Sequence, residues 1–243
     1  MQDARVLVAG ASGDIGQAIT AELLRAGSRV LMLARNLERL KSADLPEGRH
    51  QVDYFAADLT DLDGITQVAS DIGRVGRLDA LILTSGAYTR SQDPQDFRRQ
   101  IDANLIGPYA LLQATLPMLI ESKGQIVFIN SSQALRGTAG VGQYAATKHA
   151  LKAIADSTRD EVNGSGVRVM SLYLGRTAGS RQREIFGMEG RRYNPAHLIQ
   201  PNDVAKTVLF LLQSPRTVEV TDITLRPMQS PTSQPHPGFQ QGA

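Results

Sequence analysis

A tyrosine and a lysine four positions apart could together transfer protons. Tyr144 and Lys148 enclose the sequence Ala-Ala-Thr, and a helix predicted over Tyr144–Val162 would place both side chains on one face. The pKa of a free tyrosine is about 10, and we expect the ammonium of Lys148 to lower it by stabilising the phenolate. Such a phenol can act as a general acid or base. Taken alone, the pair would more often be an ordinary contact on a helix surface.

A serine near the end of a predicted strand is the second candidate for chemistry. Ser131 follows the strand predicted over Ile126–Ile129 and precedes Tyr144 by 13 residues. The carboxyl end of a strand in a doubly wound sheet faces the ligand crevice, so the Ser131 hydroxyl is expected to bind a substrate carbonyl oxygen near the phenol. Ser132 is the neighbouring alternative, and the alternation of side chains along a strand directs it to the other face.

An asparagine inside a long predicted helix is the third candidate. Asn104 lies within Phe97–Ile120, shortly before Gly107 and Pro108, and these two residues can weaken the helical hydrogen bonds locally. We expect the side-chain amide of Asn104 to hold a water molecule that relays protons to Lys148.

A glycine-rich turn precedes the first predicted helix. Its sequence is Gly10-Ala11-Ser12-Gly13-Asp14-Ile15-Gly16, and it joins the predicted strand Val6–Ala9 to the predicted helix Ile15–Ala26. Glycines allow a sharp turn and let backbone amides approach a pyrophosphate at the helix N-terminus. Such a turn is weak evidence alone, but its position between strand and helix favours a dinucleotide site over a turn that binds nothing.

The end of the second predicted strand favours NADP(H) over NAD(H). An NAD site normally carries an acidic residue about 20 positions after the glycines, where it binds the ribose 2′-hydroxyl. Ala34 and Arg35 occupy that region, and a guanidinium pairs with a 2′-phosphate that a carboxylate would repel. The alternative is that Arg35 is only an exposed cation that caps the next helix. Beside a bound nicotinamide, Tyr144 and Lys148 would exchange a proton while a hydride moves on the cofactor.

These residues come together if the chain forms a parallel α/β sheet. Short apolar runs alternate with longer helical patterns, as in βαβ units, and right-handed crossovers place helices on both faces. We therefore predict a single doubly wound Rossmann-type domain with about seven parallel strands. The predicted strands are Val6–Ala9, Val30–Leu33, Val52–Ala56, Ala80–Leu83, Ile126–Ile129, Val167–Leu172 and Ile223–Leu225, and the predicted helices are Ile15–Ala26, Ile65–Val75, Phe97–Ile120, Tyr144–Val162 and Pro201–Leu212.

Two segments depart from this pattern. Residues 176–195 are rich in arginine and glycine with weak periodicity, so we expect a mobile insertion that forms a substrate loop. Residues 228–243 are rich in proline and glutamine and are expected to form a tail that follows a domain at residues 1–227.

The substrate loop carries more basic than acidic side chains. Its five arginines exceed its two glutamates by three, and the surplus could attract a carboxylate, a phosphate or a carrier-bound acyl group. A solvated, flexible face is the more frequent interpretation. The residues concerned are Arg176, Arg181, Arg183, Arg191 and Arg192 against Glu184 and Glu189. Apolar side chains that could line the site, unless they are core or oligomer contacts, are Tyr88, Tyr173, Phe186, Met188 and Tyr193.

Composition excludes several classes of function. The chain has 243 residues and no cysteine, which rules out disulfides, thiolate catalysis and cysteine-ligated metals. Its net charge of +2 is too small to indicate nucleic-acid binding. The sequence contains no run of about 18 apolar residues, so no membrane span is predicted. The N-terminus lacks signal-peptide features, so we expect a cytoplasmic protein. The four histidines lack metal-ligand spacing, so no metal site is predicted; they are His50, His149, His197 and His236.

Taken together, the motifs resemble those of the short-chain dehydrogenase/reductase family over roughly residues 4–227. The resemblance rests on the spacing from Gly10 to Gly16, Asn104, the interval from Ser131 to Tyr144, Tyr144-x-x-x-Lys148, Asp58-Leu59 and Leu83-Thr84-Ser85-Gly86. It implies a catalytic tetrad of Asn104, Ser131, Tyr144 and Lys148, and an adenine-side contact at Asp58. It also implies hydride transfer between the nicotinamide and an alcohol or carbonyl compound, in a homodimer or homotetramer.

The sequence also departs from the family pattern. Asp14 stands where the family has the middle glycine of the turn, and Leu174-Gly175 replaces Pro-Gly, while Thr177 keeps a hydroxyl near the expected nicotinamide carboxamide. The cofactor contacts predicted from the residues and the resemblance are Gly10, Ser12, Gly13, Asp14, Ile15, Gly16, Ala34, Arg35, Asp58, Leu59, Ser85, Gly86, Tyr144, Lys148, Gly175 and Thr177.

Two other functions compete with an NADP(H)-dependent reductase. The first is a catalytically silent dinucleotide-binding regulatory or scaffold protein, which the complete tetrad disfavours and Asp14 slightly favours. The second is a nucleotide-sugar epimerase or dehydratase, but such enzymes generally carry a larger C-terminal substrate domain than this chain length allows.

Overall fold

The computed structural model describes residues 1–46 and 51–228 and contains one parallel sheet. Its seven strands follow the order β3-β2-β1-β4-β5-β6-β7, and each neighbouring pair is parallel. The strands are β1 (Arg5–Ala9), β2 (Arg29–Ala34), β3 (Val52–Ala56), β4 (Ala80–Leu83), β5 (Gln125–Ser131), β6 (Arg168–Leu174) and β7 (Asp222–Leu225). This confirms the predicted fold, because buried parallel strands are continuous apolar runs that the sequence displays directly.

Eight α-helices connect the strands in the described part of the chain. They are α1 (Asp14–Arg25), α2 (Leu37–Lys41), α3 (Leu62–Val75), α4 (Pro94–Ile101), α5 (Gly107–Ser122), α6 (Gly142–Val162), α7 (Ser180–Met188) and α8 (Pro201–Gln213). The sequence did not predict α2 or α7. The helix α7 falls within residues 176–195, where arginines obscure the apolar period and Phe186 is the only buried member of the helix.

The predicted helix Phe97–Ile120 is interrupted at its centre. A short π-helix over Asp102–Ile106 separates α4 from α5. Pro108 has no N–H and cannot donate the α-helical hydrogen bond to the Asn104 carbonyl. Gly107 lies so close to the loop between β3 and α3 that a Cβ there would be 2.1 Å from the Leu59 carbonyl oxygen. The predicted weakening of the helical hydrogen bonds therefore takes the form of this π-helix, a feature frequent at functional sites.

Apolar side chains cover both faces of the sheet. On one face α1 and α8 contribute Ile19, Leu23 and Val208 to a core with β1 and β2, and on the other α3, α5 and α6 contribute side chains such as Leu111 and Leu151. Helices therefore pack on both faces, as predicted. The carboxyl ends of the strands stay open and form a cleft at one edge of the sheet.

One apolar helical segment resembles a membrane span in composition but packs in the domain core. Pro94–Ser122, which includes α4 and α5, is long and apolar enough to cross a membrane by length and composition, and 39% of its apolar window is buried. Leu111, Leu112 and Leu119 belong to the core beneath the sheet. These contacts assign it to the domain core.

Candidate active site

The cleft at the strand ends brings most of the predicted site together. It has a volume of about 1020 Å³, at the upper end of the range for ligand sites. The predicted residues that line it are Gly10, Ser12, Gly13, Asp14, Ile15, Gly16, Ala34, Arg35, Asp58, Leu59, Ser85, Gly86, Ser131, Tyr144, Lys148, Gly175 and Thr177. Asn104 is the exception, since its side chain is fully buried and its neighbour Ala103 lines the cleft instead.

The turn before α1 has the shape of a phosphate cradle. Gly10 has φ +85°, and a Cβ there would lie 2.5 Å from Thr84 Oγ1, so no other residue fits. A Cβ on Gly16 would lie 2.4 Å from the Gly10 carbonyl oxygen. The helix α1 begins after Gly13, which has no side chain to cap it. Its first N–H groups therefore remain available to an anion, and the turn fits a pyrophosphate.

The carboxylate of Asp14 is directed across the cleft to α7. Its Oδ2 accepts hydrogen bonds from the Ser180 N–H at 2.8 Å and from Ser180 Oγ at 2.9 Å. A Cβ on Gly179 would lie 2.4 Å from the same oxygen, so glycine is needed for the close approach. The carboxylate stabilises the positive end of α7. The carboxylate therefore binds the first turn of α7 and does not cap α1.

The end of β2 holds two arginines instead of one. Arg35 and Arg39 both line the cleft, next to Ala34. Sequence reasoning missed Arg39, which lies on α2, a helix of five residues that was not predicted. Asn36 caps this helix by accepting from the Arg39 N–H at 2.9 Å, so Arg35 is not its cap. Two guanidinium groups at this edge fit a 2′-phosphate.

Asp58 is oriented by its own loop. Its Oδ1 accepts from the N–H and the hydroxyl of Thr60, both at 2.9 Å. The neighbouring Leu59 is buried. Both residues line the cleft at the end of β3, so the adenine contact that the resemblance implies stays a prediction compatible with this geometry.

Tyr144 and Lys148 lie one turn apart on α6 and face the cleft. The Lys148 ammonium is 5.8 Å from the centre of the Tyr144 ring, and Lys148 is 4% exposed. The helix is fixed to β5 by Asn130, whose Nδ2 donates to the Lys148 carbonyl at 3.2 Å while its Oδ1 accepts from the Ser131 N–H at 2.8 Å. Asn130 therefore sets the spacing between the serine and the helix. Sequence reasoning did not identify this residue.

Burial changes the pKa values of both groups. Burial raises the pKa of Tyr144, although a hydrogen bond from Ser131 and the charge of Arg181 oppose the rise. Burial and the nearby Arg181 lower the pKa of Lys148 to about 8. The prediction that Lys148 lowers the pKa of the phenol is therefore wrong for the cofactor-free protein. Desolvation outweighs the opposing effects of Ser131 and Arg181, and the phenol keeps its proton at neutral pH.

Ser131 and Ser132 both lie at the cleft, whereas the alternation of side chains along a strand predicted opposite faces. The strand β5 ends at Ser131, and Ser132 begins a short 3-10 helix that ends at Ala134. Because the chain turns there, the alternation of a strand stops, and both serines line the cleft. Ser132 therefore remains in the same cleft as Ser131, and the direction of its side chain stays a prediction.

Asn104 holds the loop after β4 against α6. Its Nδ2 donates to the Ala87 carbonyl and to Thr147 Oγ1, both at 3.0 Å, and its Oδ1 accepts from the Ala87 N–H at 2.6 Å. Both side-chain N–H donors are thus used within the protein. The role in which Asn104 holds a water that relays protons to Lys148 stays a prediction that would depend on its side-chain oxygen, and the hydrogen bonds to Ala87 and Thr147 give Asn104 a positioning role.

Comparison with known proteins agrees with this arrangement. The family model for short chain dehydrogenase matches residues 4–189. The chain belongs to the short-chain dehydrogenase/reductase family. It is therefore an NAD(P)-dependent oxidoreductase, a conclusion that agrees with its dinucleotide cradle.

Several similar proteins share this family and fold. The chain is 30% identical to glycine betaine reductase of Emericella nidulans over 93% of its own length, but it spans only 19% of that protein. It is 30% identical to an uncharacterized short-chain type dehydrogenase/reductase of Sinorhizobium fredii, with 91% and 90% coverage of the two chains. A metagenomic short-chain oxidoreductase in complex with NADP is 26% identical, with a TM-score of 0.78 and 94% and 99% coverage.

The helix α7 lies along the cleft of this short-chain dehydrogenase. Beyond the contact between Asp14 and Ser180, Arg181 Nη2 donates to the Gly86 carbonyl at 2.6 Å. A Cβ on Gly86 would lie 3.5 Å from the Lys148 ammonium nitrogen, and the charge of Arg181 acts on both Tyr144 and Lys148, so Arg181 lies beside these two residues. The segment that the sequence predicted as irregular thus spans the cleft from the phosphate cradle to Tyr144.

Only part of the predicted apolar wall faces the cleft. Tyr88 and Met188 line it, and the Tyr88 ring lies edge-on to the Tyr144 ring with 5.1 Å between centres. Tyr173 is buried in β6 and binds Asp222. Phe186 and Tyr193 pack in a separate small cluster with Ala178 and Leu198. The alternative that these residues are core contacts is therefore right for Tyr173, Phe186 and Tyr193.

The histidines of the enzyme form no shared site among the described residues. His149 is exposed on α6 and its Nδ1 lies 2.8 Å from the Ala145 carbonyl oxygen. His50 and His236 lie outside the described residues, as does the predicted tail from residue 229 onward. Within residues 1–46 and 51–228, no group of three or more histidine, cysteine, aspartate or glutamate side chains could hold a metal ion.

Replacing Lys148 with methionine should stabilise the cofactor-free enzyme. The pKa of this lysine falls from its ordinary value of 10.5 to about 8 on folding. Between these values the unfolded chain binds more protons than the folded one, so stability rises with pH across this window. Below pH 8 the full cost of burying the ammonium is present, and removing it should raise the free energy of unfolding by up to about 3 kcal/mol. Urea denaturation as a function of pH measures this difference.

Lys152 provides the matched control on the same helix. Its ammonium donates to Asp156 at 2.6 Å and its side chain is 31% exposed, and this hydrogen bond to Asp156 raises the pKa of Lys152. Lys152→Met should therefore not stabilise the protein at neutral pH. If Lys148→Met lowers stability at every pH, the assigned cost of the buried ammonium is wrong.

Proposed function

We propose that this enzyme is an NADP(H)-dependent reductase of small ketones or aldehydes in which Tyr144 is the proton donor. The observation that carries the proposal is a phenol and an ammonium one helical turn apart, in the same cleft as a glycine cradle and two arginines. The metagenomic relative of 26% identity, which was solved with NADP, supports the choice of cofactor.

Tyr144 and Ser131 have different roles in the proposed carbonyl reduction. The nicotinamide, when bound, supplies the hydride. Tyr144 holds a proton on its phenol oxygen and donates it to the carbonyl oxygen of the substrate. Ser131 Oγ accepts from the Gln133 N–H at 3.2 Å, and its own hydrogen, which is directed to Tyr144 in this structure, can turn to bind the same carbonyl oxygen. Because burial raises the pKa of Tyr144, the phenol is protonated before the reaction, as a reductase needs.

Two residues keep this arrangement in place. Lys148 is the nearby cation that stabilises the phenolate left after proton transfer, and its lowered pKa lets it exchange a proton near neutral pH. Asn104 fixes the loop that carries Gly86 and Tyr88 relative to α6, through Ala87 and Thr147. We propose that Asn104 acts in this way as a positioning residue.

Incubating the protein with NADPH and a panel of ketones and aldehydes tests the proposal. We expect loss of the reduced-cofactor absorbance with at least one carbonyl compound, and a slower rate when NADH replaces NADPH. Binding of NADPH measured by fluorescence without any turnover in the panel would instead favour the catalytically silent dinucleotide-binding protein.

A further inference from the structure

We propose that the carbonyl substrate of this enzyme carries a carboxylate, which Arg90 and Arg191 bind next to Tyr144. The inference rests on the proposed function and names its substrate class. It depends on a group of charged side chains at the end of the cleft beyond Tyr88, which we call the arginine cluster: Arg90, Arg176, Arg191 and Glu189.

The arginine cluster has more positive than negative charge. Glu189 is 12% exposed and accepts two hydrogen bonds from Arg176 Nη2, at 2.8 and 2.9 Å. The same carboxylate lies 3.6 Å from Arg90 Nη1 and 3.8 Å from Arg191 Nη1. One carboxylate thus faces three guanidinium groups, and a surplus of two positive charges remains. Both short hydrogen bonds of Glu189 are therefore made with Arg176.

Arg90 and Arg191 are left with weak partners. Arg90 Nε donates to the Gly140 carbonyl at 3.5 Å, the limit of a hydrogen bond. Among the described residues, the Arg191 side chain makes no hydrogen bond, and its one ion pair is the 3.8 Å contact to Glu189. A guanidinium has five donors, and its planar fork matches a carboxylate. Both side chains line the cleft, so these donors can reach a ligand.

The arginine cluster lies next to the proposed proton donor. Tyr88, two residues before Arg90, packs edge-on against Tyr144. Burial raises the pKa of Tyr88, and the charges of Arg90, Glu189 and Arg176 act on the same phenol. A substrate whose carbonyl oxygen meets Tyr144 would therefore extend its other end past Tyr88 to the arginines. Arg35 follows β2, and β1 lies between β2 and β4, the strand that precedes Arg90. These cations are therefore separate from those at the cofactor phosphate.

Pairs of oxo acids and their methyl esters test the inference. Each pair differs by one negative charge, and straight-chain pairs of increasing length are assayed with NADPH. We expect kcat/KM to favour the acid by about tenfold or more in at least one pair. Arg90→Gln, which keeps hydrogen-bonding ability but removes the charge, should abolish most of this preference. Arg192→Gln removes the same charge from an exposed residue outside the cleft lining and should preserve it.

Calorimetric titration of the NADP⁺-loaded protein with the same acids and esters adds a binding measurement that does not need turnover. The acids should bind more tightly than the esters, and Arg90→Gln should remove the difference while thermal unfolding stays unchanged. Esters that react and bind as well as acids in every pair would overturn the carboxylate site and leave the reductase function intact. Equal losses in Arg90→Gln and Arg192→Gln would likewise overturn it. Absence of turnover with every carbonyl compound, acid or ester, would count against the proposed function itself.

Discussion

Tyr144→Phe is expected to lower kcat by a factor of about a thousand while leaving the Kd for NADPH within about twofold. The substitution removes one oxygen atom and keeps the ring, so the edge-on contact with Tyr88 and the packing of α6 should persist. What is lost is the proton donor. Because burial raises the pKa of Tyr144, this group is fully protonated at neutral pH, and no other phenol replaces it at the same position.

Two measurements separate chemistry from cofactor binding. Steady-state consumption of NADPH with the best carbonyl substrate gives kcat, and fluorescence titration gives the Kd for NADPH. Tyr109→Phe is the matched control, since Tyr109 is 41% exposed on α5 and does not line the cleft. It should retain the wild-type rate. Full activity in Tyr144→Phe would remove Tyr144 from the mechanism, even if the carbonyl reductase function remained.

The sheet and the cradle were predictable because their determinants are local. The inner strands carry short apolar runs. The cradle needs glycines at Gly10 and Gly16, where a Cβ would collide with backbone or a neighbouring side chain. The spacing of Tyr144 and Lys148 needs only a helix. These features depend on residues within one turn or one strand–helix connection of one another, and the sequence displays them.

The remaining features depend on contacts between distant parts of the chain. Asp14 and Ser180 are 166 residues apart, and neither residue type reveals that α7 begins against the cradle. The direction of the pKa change at Tyr144 depends on how much of the folded protein surrounds the phenol, so the neighbouring ammonium alone gave the wrong sign. Arg39 was missed because α2 has five residues, too few to display a helical period.

Asn104 shows that the sequence can predict a local distortion of a helix without revealing the hydrogen bonds made there. Its position before Gly107 and Pro108 predicted the disturbed helix, and the π-turn over Asp102–Ile106 is found there. The sequence did not reveal that Ala87 and Thr147 take both of its side-chain donors. Hydrogen-bond partners of a buried amide are determined by tertiary structure, since buried polar groups must be satisfied wherever the fold places them.

Arg35→Ala should weaken NADPH binding by about tenfold to a hundredfold, because a charge-assisted hydrogen bond contributes about 1.5–3 kcal/mol. Binding of NADH should change by less than about twofold, since NADH has no 2′-phosphate for the guanidinium to contact. Arg39 lies beside Arg35 in the cleft and should retain part of the affinity. The Arg35→Ala/Arg39→Ala double variant should therefore lose more of the preference for NADPH over NADH than either single variant. The ratio of its Kd values for the two cofactors should approach one.

Fluorescence titrations with both cofactors, at low and high salt, measure this discrimination. A contact between a guanidinium and a phosphate weakens as salt increases, so the advantage of NADPH in the wild type should shrink with ionic strength and stay small in the double variant. Arg98→Ala is the matched control, because Arg98 is an exposed arginine on α4 outside the cleft lining. Equal losses for NADPH and NADH in Arg35→Ala would show that the side chain supports the fold of the β2 end without contacting a 2′-phosphate. A selective loss for NADPH would assign cofactor choice to the two arginines at this end of the cleft, independently of which carbonyl compound the enzyme reduces.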